Sequence, residues 1–225
     1  MIIRKMRSGV KHILDYIYSI YFNFKVFPIS IAKKLPIKVN YKMDLVKCHK
    51  GCIEIKGSIH RNMIKLGAVG APFIRKENTS FYCAESGTLI FNGEAVLAEG
   101  IKIFIENGTV TIGNNSYIGC NTAIQCKKGI TIGNNFLGGW NLCIRDTDGH
   151  QIKKDGKLLE MNKEVEIDDN VWIASDCTIL KGSKITQGSI VGCNSLVCGF
   201  RMDKSHCILA GSPAKITREN IEWIE

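Results

Sequence analysis

The sequence has few prolines, no long uninterrupted apolar stretch and no Cys-x-x-Cys pair. It contains 4 prolines against 22 glycines, a ratio that suits many tight corners needing positive φ. No segment offers the roughly 20 consecutive apolar residues of a transmembrane helix. The start also lacks the compact apolar core and small-residue cleavage site of a secretory signal. These absences predict a cytoplasmic globular protein.

The ten cysteines have no spacing typical of a zinc site or of a disulfide framework. Several, such as Cys177, fall at positions that the pattern described below turns inward. We therefore interpret them as small buried side chains in a reducing compartment and predict no metal site.

The net charge of +9 is concentrated at one end of the chain. Residues 1–56 hold twelve Lys and Arg against three acidic residues, and the remainder is balanced at 18 against 18. This distribution argues against nucleic-acid binding by the bulk of the protein. It is compatible with contact between the N-terminal segment and an anionic membrane face.

A six-residue period dominates the chain between Ile167 and Val197. Aliphatic residues recur there every six positions, at Ile167, Ile173, Ile179, Ile185, Val191 and Val197. Four places after each of the first five comes a small or branched residue, at Val171, Cys177, Ser183, Ser189 and Ser195. Gly, Asn and Asp fill the positions between. The period fits neither a helix nor a simple strand, and hexapeptide repeats are typical of a parallel β-helix.

Earlier runs repeat the period, which makes a chance pattern in a β-sandwich a poor alternative. Those runs contain Phe91, Leu97 and Ile103, then Ile112, Ile118, Ile124 and Ile130, and after a shift Ile132, Gly138 and Ile144. The predicted class is all-β, with a basic, aromatic N-terminal segment and a short C-terminal helix beginning near an N-cap at Thr217. The predicted divisions are residues 1–38, a β-helix over 39–215 with an excursion at 145–164, and residues 216–225.

The N-terminal segment has an amphipathic pattern that predicts a helix over roughly residues 5–24, closed by Pro28. Two fates are open for it. It packs on the β-helix or on a neighbouring subunit, or residues 1–34 lie peripherally on the inner membrane face.

The period stops between Ile144 and Val165, and such a long excursion from a tight coil is uncommon without a function. It opens with Asp146, Asp148 and His150. An imidazole there suits a general base at neutral pH, and one of the carboxylates would orient it. A solvated loop histidine and a partial metal site are the alternatives, and no second His or Cys lies near in sequence to support the metal.

The hexads, the Asp-Thr-Asp-Gly-His segment and the Ala-Gly-Ser-Pro-Ala-Lys turn at 210–215 resemble the left-handed β-helix, hexapeptide-repeat acyltransferases over about residues 85–218. Within that family the chain resembles bacterial O-acetyltransferases of capsule or lipopolysaccharide sugars. The resemblance implies acetyl-CoA as acyl donor, a sugar or glycan acceptor, and a homotrimer with sites between subunits. It also assigns His150 as the base that deprotonates the acceptor hydroxyl.

The resemblance further implies two sets of binding residues. Contacts to the cofactor would come from Trp172, Ala174, Ser175, Gly192, Gly211, Pro213, Lys215 and Arg218. Contacts to the acceptor would come from Asn121 and Trp140. Packing alone is an equal alternative for Trp172. Acetylation of an amine and a non-catalytic β-helix scaffold remain the competing functions.

Overall fold

The computed structural model describes the backbone of residues 2–75 and 77–224, and side chains from residue 9 onward with the same gap. The basic side chains at the very start of the sequence lie outside the described residues. Two helices come first, α1 (Ile2–Val26) and α2 (Ile29–Ala32). The predicted N-terminal helix is therefore confirmed, with longer bounds.

Short strands follow the helices. The first half of the chain contains β1 (Ile37–Val39), β2 (Asp44–Lys47), β3 (Ile53–Ile55), β4 (Ile64–Leu66), β5 (Ser80–Cys83), β6 (Gly87–Phe91), β7 (Ala95–Leu97), β8 (Lys102–Ile105), β9 (Gly108–Ile112), β10 (Ser116–Ile118), β11 (Ala123–Cys126) and β12 (Gly129–Ile132). The second half contains β13 (Leu137–Gly138), β14 (Cys143–Arg145), β15 (Lys153–Lys154), β16 (Lys157–Leu158), β17 (Val165–Ile167), β18 (Trp172–Ile173), β19 (Thr178–Ile179), β20 (Lys184–Ile185), β21 (Ile190–Val191), β22 (Leu196–Val197), β23 (Ile208–Gly211) and β24 (Ala214–Arg218).

The strands form three faces of a prism, and each coil contributes one strand to each face. Face A has the order β1-β4-β7-β10-β13-β18-β21-β23-β24, face B the order β2-β5-β8-β11-β14-β19-β22, and face C the order β20-β17-β12-β9-β6-β3. Pairing within the faces is parallel except for the last pair, β23 with β24. The chain turns at three corners, named A–B, B–C and C–A after the faces they join.

The predicted hexad residues fill the prism. In face B, Ile103 pairs with Ile124, Ile124 with Ile144, Ile144 with Ile179, and Ile179 with Val197. All five are at most 1% exposed. Burial of an aliphatic side chain stabilises by about 1.5–3 kcal/mol, so the column supports strands that are too short to persist alone.

The small positions of the hexads lie at corners and satisfy the backbone there. The Ser183, Ser189 and Ser195 hydroxyls are buried. They accept hydrogen bonds from the backbone N–H groups of Gly199 at 3.1 Å, Cys207 at 3.1 Å and Gly211 at 3.2 Å. Serine therefore suits a corner for two reasons: its side chain is small enough to fit, and its hydroxyl oxygen accepts a hydrogen bond from a backbone N–H group.

Helix α1 closes the N-terminal end of face A with a polar stripe. The Ser19 hydroxyl accepts from the backbone N–H of Val39 at 2.9 Å, and the Asn23 amide bonds both the N–H and the C=O of Ile37. The Asp15 carboxylate accepts from the Tyr41 N–H at 2.9 Å. These residues, spaced by four, satisfy the open edge of β1. The helix thus packs on the β-helix, one of its two predicted fates.

The predicted C-terminal helix is wrong. Residues 214–218 form β24, which pairs antiparallel with β23, and residues 219–224 contain no helix. The Thr217 hydroxyl, expected to cap a helix, instead donates to the Ile208 carbonyl at 3.1 Å. Without β24 the outer edge of β23 would be open, and the β-branched Ile216 and Thr217 favour a strand that covers it.

Candidate active site on two corners of the prism

A column of Asn and Asp residues builds the A–B corner. Asn121, Asn141, Asp176 and Asn194 occupy equivalent places in successive coils with φ between 56° and 62°, a conformation that Asn and Asp tolerate well. The Asn121 amide donates to Asn141 at 3.3 Å, and the Asn141 amide to Asp176 at 2.9 Å. These side-chain bonds join three of the four coils at the corner.

Most of the predicted cofactor-binding residues lie on this corner. Ala174 and Ser175 follow β18, and Gly192 follows β21. Ala174 and Ser175 are buried, and their backbone is tied to the next coil through the Ala174 N–H to Val191 bond at 2.9 Å. Because these residues have small side chains or none, few side-chain atoms project from this edge of the corner.

Gly211 and Pro213 extend the A–B corner into the β23–β24 turn. Lys215 and Arg218, on the strand leaving that turn, are both exposed. Lys215, which pairs with Ala210, therefore stands beside the C-terminal end of the corner, where an anionic ligand would meet it, whereas Arg218 pairs with Ile208 at the other end of β23.

Trp172 lies on face A, two residues before the corner residue Ala174. Its ring is 6.1 Å from that of Trp223, whose indole N–H donates to the Asn170 carbonyl at 2.9 Å. The structure therefore gives Trp172 a packing partner in the C-terminal tail.

The predicted acceptor residues Asn121 and Trp140 are adjacent, but a loop that sequence reasoning missed covers them. The Asn121 amide donates to the Arg75 carbonyl at 2.9 Å and accepts from the Glu77 N–H at 3.0 Å. The Phe73 ring meets the Trp140 ring edge-on at 5.8 Å. The absence of hexads between Leu66 and Phe81 was the signal for this loop.

A cavity of about 550 Å³ opens between helix α1 and this same corner. Its lining residues are Lys11, Asn40, Tyr41, Lys42, Glu77, Asn78, Thr79 and Glu99. None of the site residues predicted from the sequence is among them, because they come from four separate segments that only the coiling brings together.

The excursion leaves the prism at the B–C corner, and Asp146 anchors its root. This carboxylate is fully buried and accepts from the backbone N–H groups of Lys127 at 2.8 Å, Lys128 at 2.7 Å and Gly129 at 2.7 Å. Burial, and then the neighbouring Asp146 carboxylate, raise the pKa of the Cys126 thiol. The Asp146 carboxylate therefore holds the backbone of the neighbouring coil, which favours Asp148 over Asp146 as the carboxylate that would orient His150.

Asp148 and His150 lie just beyond this anchor. The Asp148 carboxylate pairs with Lys181 at 2.5 Å, and its N–H donates to the Met161 carbonyl at 3.1 Å. His150 is the next residue but one and is exposed. Beyond it, β15 and β16 form a small exposed hairpin. The excursion thus holds the imidazole out from the corner on a short, tied segment.

One chain does not bring His150 to the predicted cofactor edge. His150 is at the B–C corner, whereas Ala174, Gly192 and Gly211 are at the A–B corner, and face B lies between. A strand of four residues such as β11 measures about 13 Å. A site using both walls needs a second copy of the chain or a ligand that crosses face B.

Sequence comparison finds sugar acetyltransferases among the relatives of this chain. An uncharacterized 24.8 kDa protein in the cps region of Klebsiella pneumoniae is 26% identical over 86% of this chain and 87% of its own length. A galactoside O-acetyltransferase of Escherichia coli K12 is 29% identical over 56% of this chain, and a polysialic acid O-acetyltransferase of E. coli O1:K1 is 31% identical over 58%. The chain spans only 62% and 41% of the lengths of these two enzymes. No protein-family model matches it.

Solved structures with the same fold include the polySia-specific acetyltransferase NeuO, with a TM-score of 0.58, 22% identity and coverage of 84% of this chain and 79% of that one. A hexapeptide-repeat acetyltransferase of Vibrio cholerae, solved with acetyl coenzyme A, has a TM-score of 0.50, 22% identity and coverage of 58% and 70%. At this identity the likeness establishes the fold. The predicted left-handed parallel β-helix and the resemblance to hexapeptide-repeat acetyltransferases are confirmed.

Proposed function

We propose that this chain, similar in fold and sequence to hexapeptide-repeat sugar acetyltransferases, is an acetyl-CoA-dependent O-acetyltransferase acting on a sugar hydroxyl in surface-polysaccharide biosynthesis. The observation that supports it most directly is an exposed imidazole, His150, held out from the regular coil of such a fold. The cps-region relative, matched over nearly its whole length, supports the polysaccharide context.

In the proposed reaction His150 accepts the proton of the acceptor hydroxyl. The hydroxyl oxygen then forms a bond to the acetyl carbonyl carbon, the carbon–sulfur bond breaks, and the proton passes from His150 to the coenzyme A sulfur. The Asp148–Lys181 pair acts by position, because it ties the segment that presents the imidazole to the neighbouring coil.

The second wall of the site is the A–B corner of a neighbouring subunit. We expect a homotrimer in which the B–C corner of one copy faces the A–B corner of the next, since a ring of identical chains joins two different surfaces of each copy. The low edge at Ala174, Ser175 and Gly192 admits the pantetheine arm. The exposed Lys215 and Arg218 pair with the coenzyme A phosphates.

Release of coenzyme A thiol in the presence of sugar acceptors tests the proposal. His150→Ala should lower kcat by about 10²–10⁴-fold, the usual contribution of a general base, and leave binding of coenzyme A unchanged. The matched control is His60→Ala, an exposed histidine at the C–A corner that pairs with Glu94 at 3.2 Å. Near-normal turnover by His150→Ala would refute the mechanism.

The same assay separates the competing functions. An O-acetyl product is released by mild alkali, whereas an N-acetyl product is stable, so retention of the acetyl group would favour an amine acceptor. A calorimetric titration with no detectable coenzyme A binding would favour a non-catalytic scaffold.

We also propose that helix α1 contacts an anionic lipid surface. Its outward face consists of exposed apolar and aromatic residues at helical spacing: Val10, Ile13, Leu14, Ile17, Tyr21 and Phe24. Asp15, Ser19 and Asn23 face the protein instead, and the surrounding segment holds the whole positive excess of the chain. In the described part of the chain, no helix has the length and apolarity needed to cross a bilayer. An interfacial position fits these features.

Flotation with vesicles containing phosphatidylglycerol tests the lipid contact. Wild type should float and be released by salt, and the double variant Ile13→Asp/Ile17→Asp should not float. Val46→Asp, an equally exposed apolar residue on face B, is the control and should float normally. Equal flotation of all three, or dissociation of the oligomer by the helix variant in the absence of lipid, would overturn the assignment.

A further inference from the structure

A His/Cys cluster lies at the B–C corner of the first two coils, away from the excursion. The turn between β2 and β3 supplies His49 and Cys52, and β5 supplies Cys83. The ligand atoms of these three residues, one imidazole nitrogen and two sulfurs, all lie within 4.8 Å of one another. Both cysteines are fully buried and His49 is half-buried. The sequence separates Cys52 from Cys83 by 31 positions, so only the coil brings them together.

The surroundings of His49 suit a ligand imidazole. Its Nε2 is 3.1 Å from the Ala84 carbonyl oxygen and its Nδ1 is 3.1 Å from that of Lys50. A neutral ring has one N–H and donates to one of these carbonyls, so the nitrogen that carries the lone pair turns away from the other carbonyl when it binds a cation. A backbone carbonyl that accepts from the second nitrogen is the usual partner of a metal-bound histidine.

We propose that His49, Cys52 and Cys83 bind a zinc ion. One nitrogen and two sulfurs are zinc's preferred protein donors, and with bonds of about 2.0–2.3 Å they lie roughly 3.5–3.8 Å apart in a tetrahedral site. The cluster reaches that spacing by a contraction of about 1 Å, within the reach of side-chain rotation. Cys48, in the same turn and half-buried, is the candidate thiol for the fourth position.

The ion would join three elements at the start of the prism. The Leu89 N–H donates to the Cys52 carbonyl at 2.9 Å, which links the turn to β6, and the Gly51 N–H donates to the Val26 carbonyl at 2.7 Å, which links it to the end of α1. The excursion leaves three coils further on, about 14 Å along the prism axis. The site is therefore structural and independent of acetyl transfer.

Elemental analysis of the full-length protein, purified under reducing conditions from zinc-supplemented medium, tests the proposal. Wild type should retain about one zinc per chain after dialysis, as one closed site requires. Reconstitution with Co²⁺ should give the thiolate charge-transfer band and tetrahedral d–d bands. Cys52→Ser and Cys83→Ser should lose both signals, and Cys193→Ser and Cys198→Ser, at exposed cysteines, should keep them.

His49→Asn is a second variant for the case in which the buried cysteine variants do not fold, because His49 is half-buried and its replacement leaves both thiols in place. It should bind zinc at least tenfold more weakly. Folded, reduced wild type that takes up no zinc or Co²⁺ would overturn the proposal, as would peptide mapping that finds Cys52 and Cys83 joined in a disulfide with no bound metal. Acetyl transfer by His150 is unaffected by either result.

Discussion

At the scale of single residues, Asp146 is an acidic side chain near a candidate base that accepts hydrogen bonds from backbone N–H groups. The root of the excursion interrupts the regular ladder and leaves the N–H groups of residues 127–129 without strand partners. The Asp146 carboxylate accepts from all three while remaining fully buried. In sequence Asp146 lies four residues and Asp148 two residues from His150, and the structure separates the two carboxylates further, because Asp146 is fully buried and Asp148 is partly exposed.

Asp146→Ala should lower the free energy of unfolding by about 3 kcal/mol or more, because it leaves several buried donors unpaired. Urea unfolding followed by fluorescence measures the loss. Asp203→Ala, at an exposed position, should change stability by no more than about 0.5 kcal/mol. Equal stability of the two variants would show that water replaces the carboxylate at no cost.

At the scale of elements, helix α1 has its polarity reversed relative to an ordinary surface helix. Asp15, Ser19 and Asn23 are turned inward because β1 is an edge strand whose N–H and C=O groups need partners. Other hydrophobic residues of the helix, such as Ile13 and Ile17, are left exposed, whereas Phe22 and Val26 are fully buried in the core. Amphipathicity alone would have assigned the faces the other way round.

Asn23→Ala should destabilise the protein by roughly 2–3 kcal/mol, since the Ile37 N–H and C=O lose their partner in a buried place. The neighbouring Phe24→Ala, on the exposed face, should cost no more than about 0.5 kcal/mol in the absence of lipid. Thermal and urea unfolding provide the comparison. A larger loss for Phe24→Ala would mean that the outer face is covered in the free protein.

At the scale of the whole molecule, the two candidate walls of the active site lie on different corners of one prism. Their separation by face B follows from the order of the coils, and no side-chain movement joins them. When several prisms assemble, a narrow groove forms between the flat faces of neighbouring copies. We therefore expect catalysis to depend on mixed contributions from neighbouring subunits.

Co-expression of two inactive variants tests this arrangement. Subunits with His150→Ala and subunits with Lys215→Glu/Arg218→Glu should each be nearly inactive at low acetyl-CoA. If each site uses two subunits, random mixing at equal amounts restores about a quarter of the wild-type sites. The mixture is assayed beside separately expressed variants combined after folding. Complete lack of recovery in verified hetero-oligomers would place both walls in a single chain.

The sequence by itself determined that the chain coils into a β-helix, because the side chains that fill the prism recur every six residues. Ile124, Ile144 and Ile179 were predicted inward from spacing alone, and each is at most 1% exposed. The excursion and His150 were equally visible, since they are where the period stops. Such local regularities need no knowledge of distant contacts.

Only the tertiary structure decided which side chains meet across coils. It engaged Asp146 with the backbone of residues 127–129, covered Asn121 with the loop around Arg75 and Glu77, and replaced the expected C-terminal helix by β24 on an open edge. It also assembled His49, Cys52 and Cys83 from separate coils. The physical reason is that unpaired backbone groups and edges take the nearest partner in space, and that partner is not encoded by spacing along the chain.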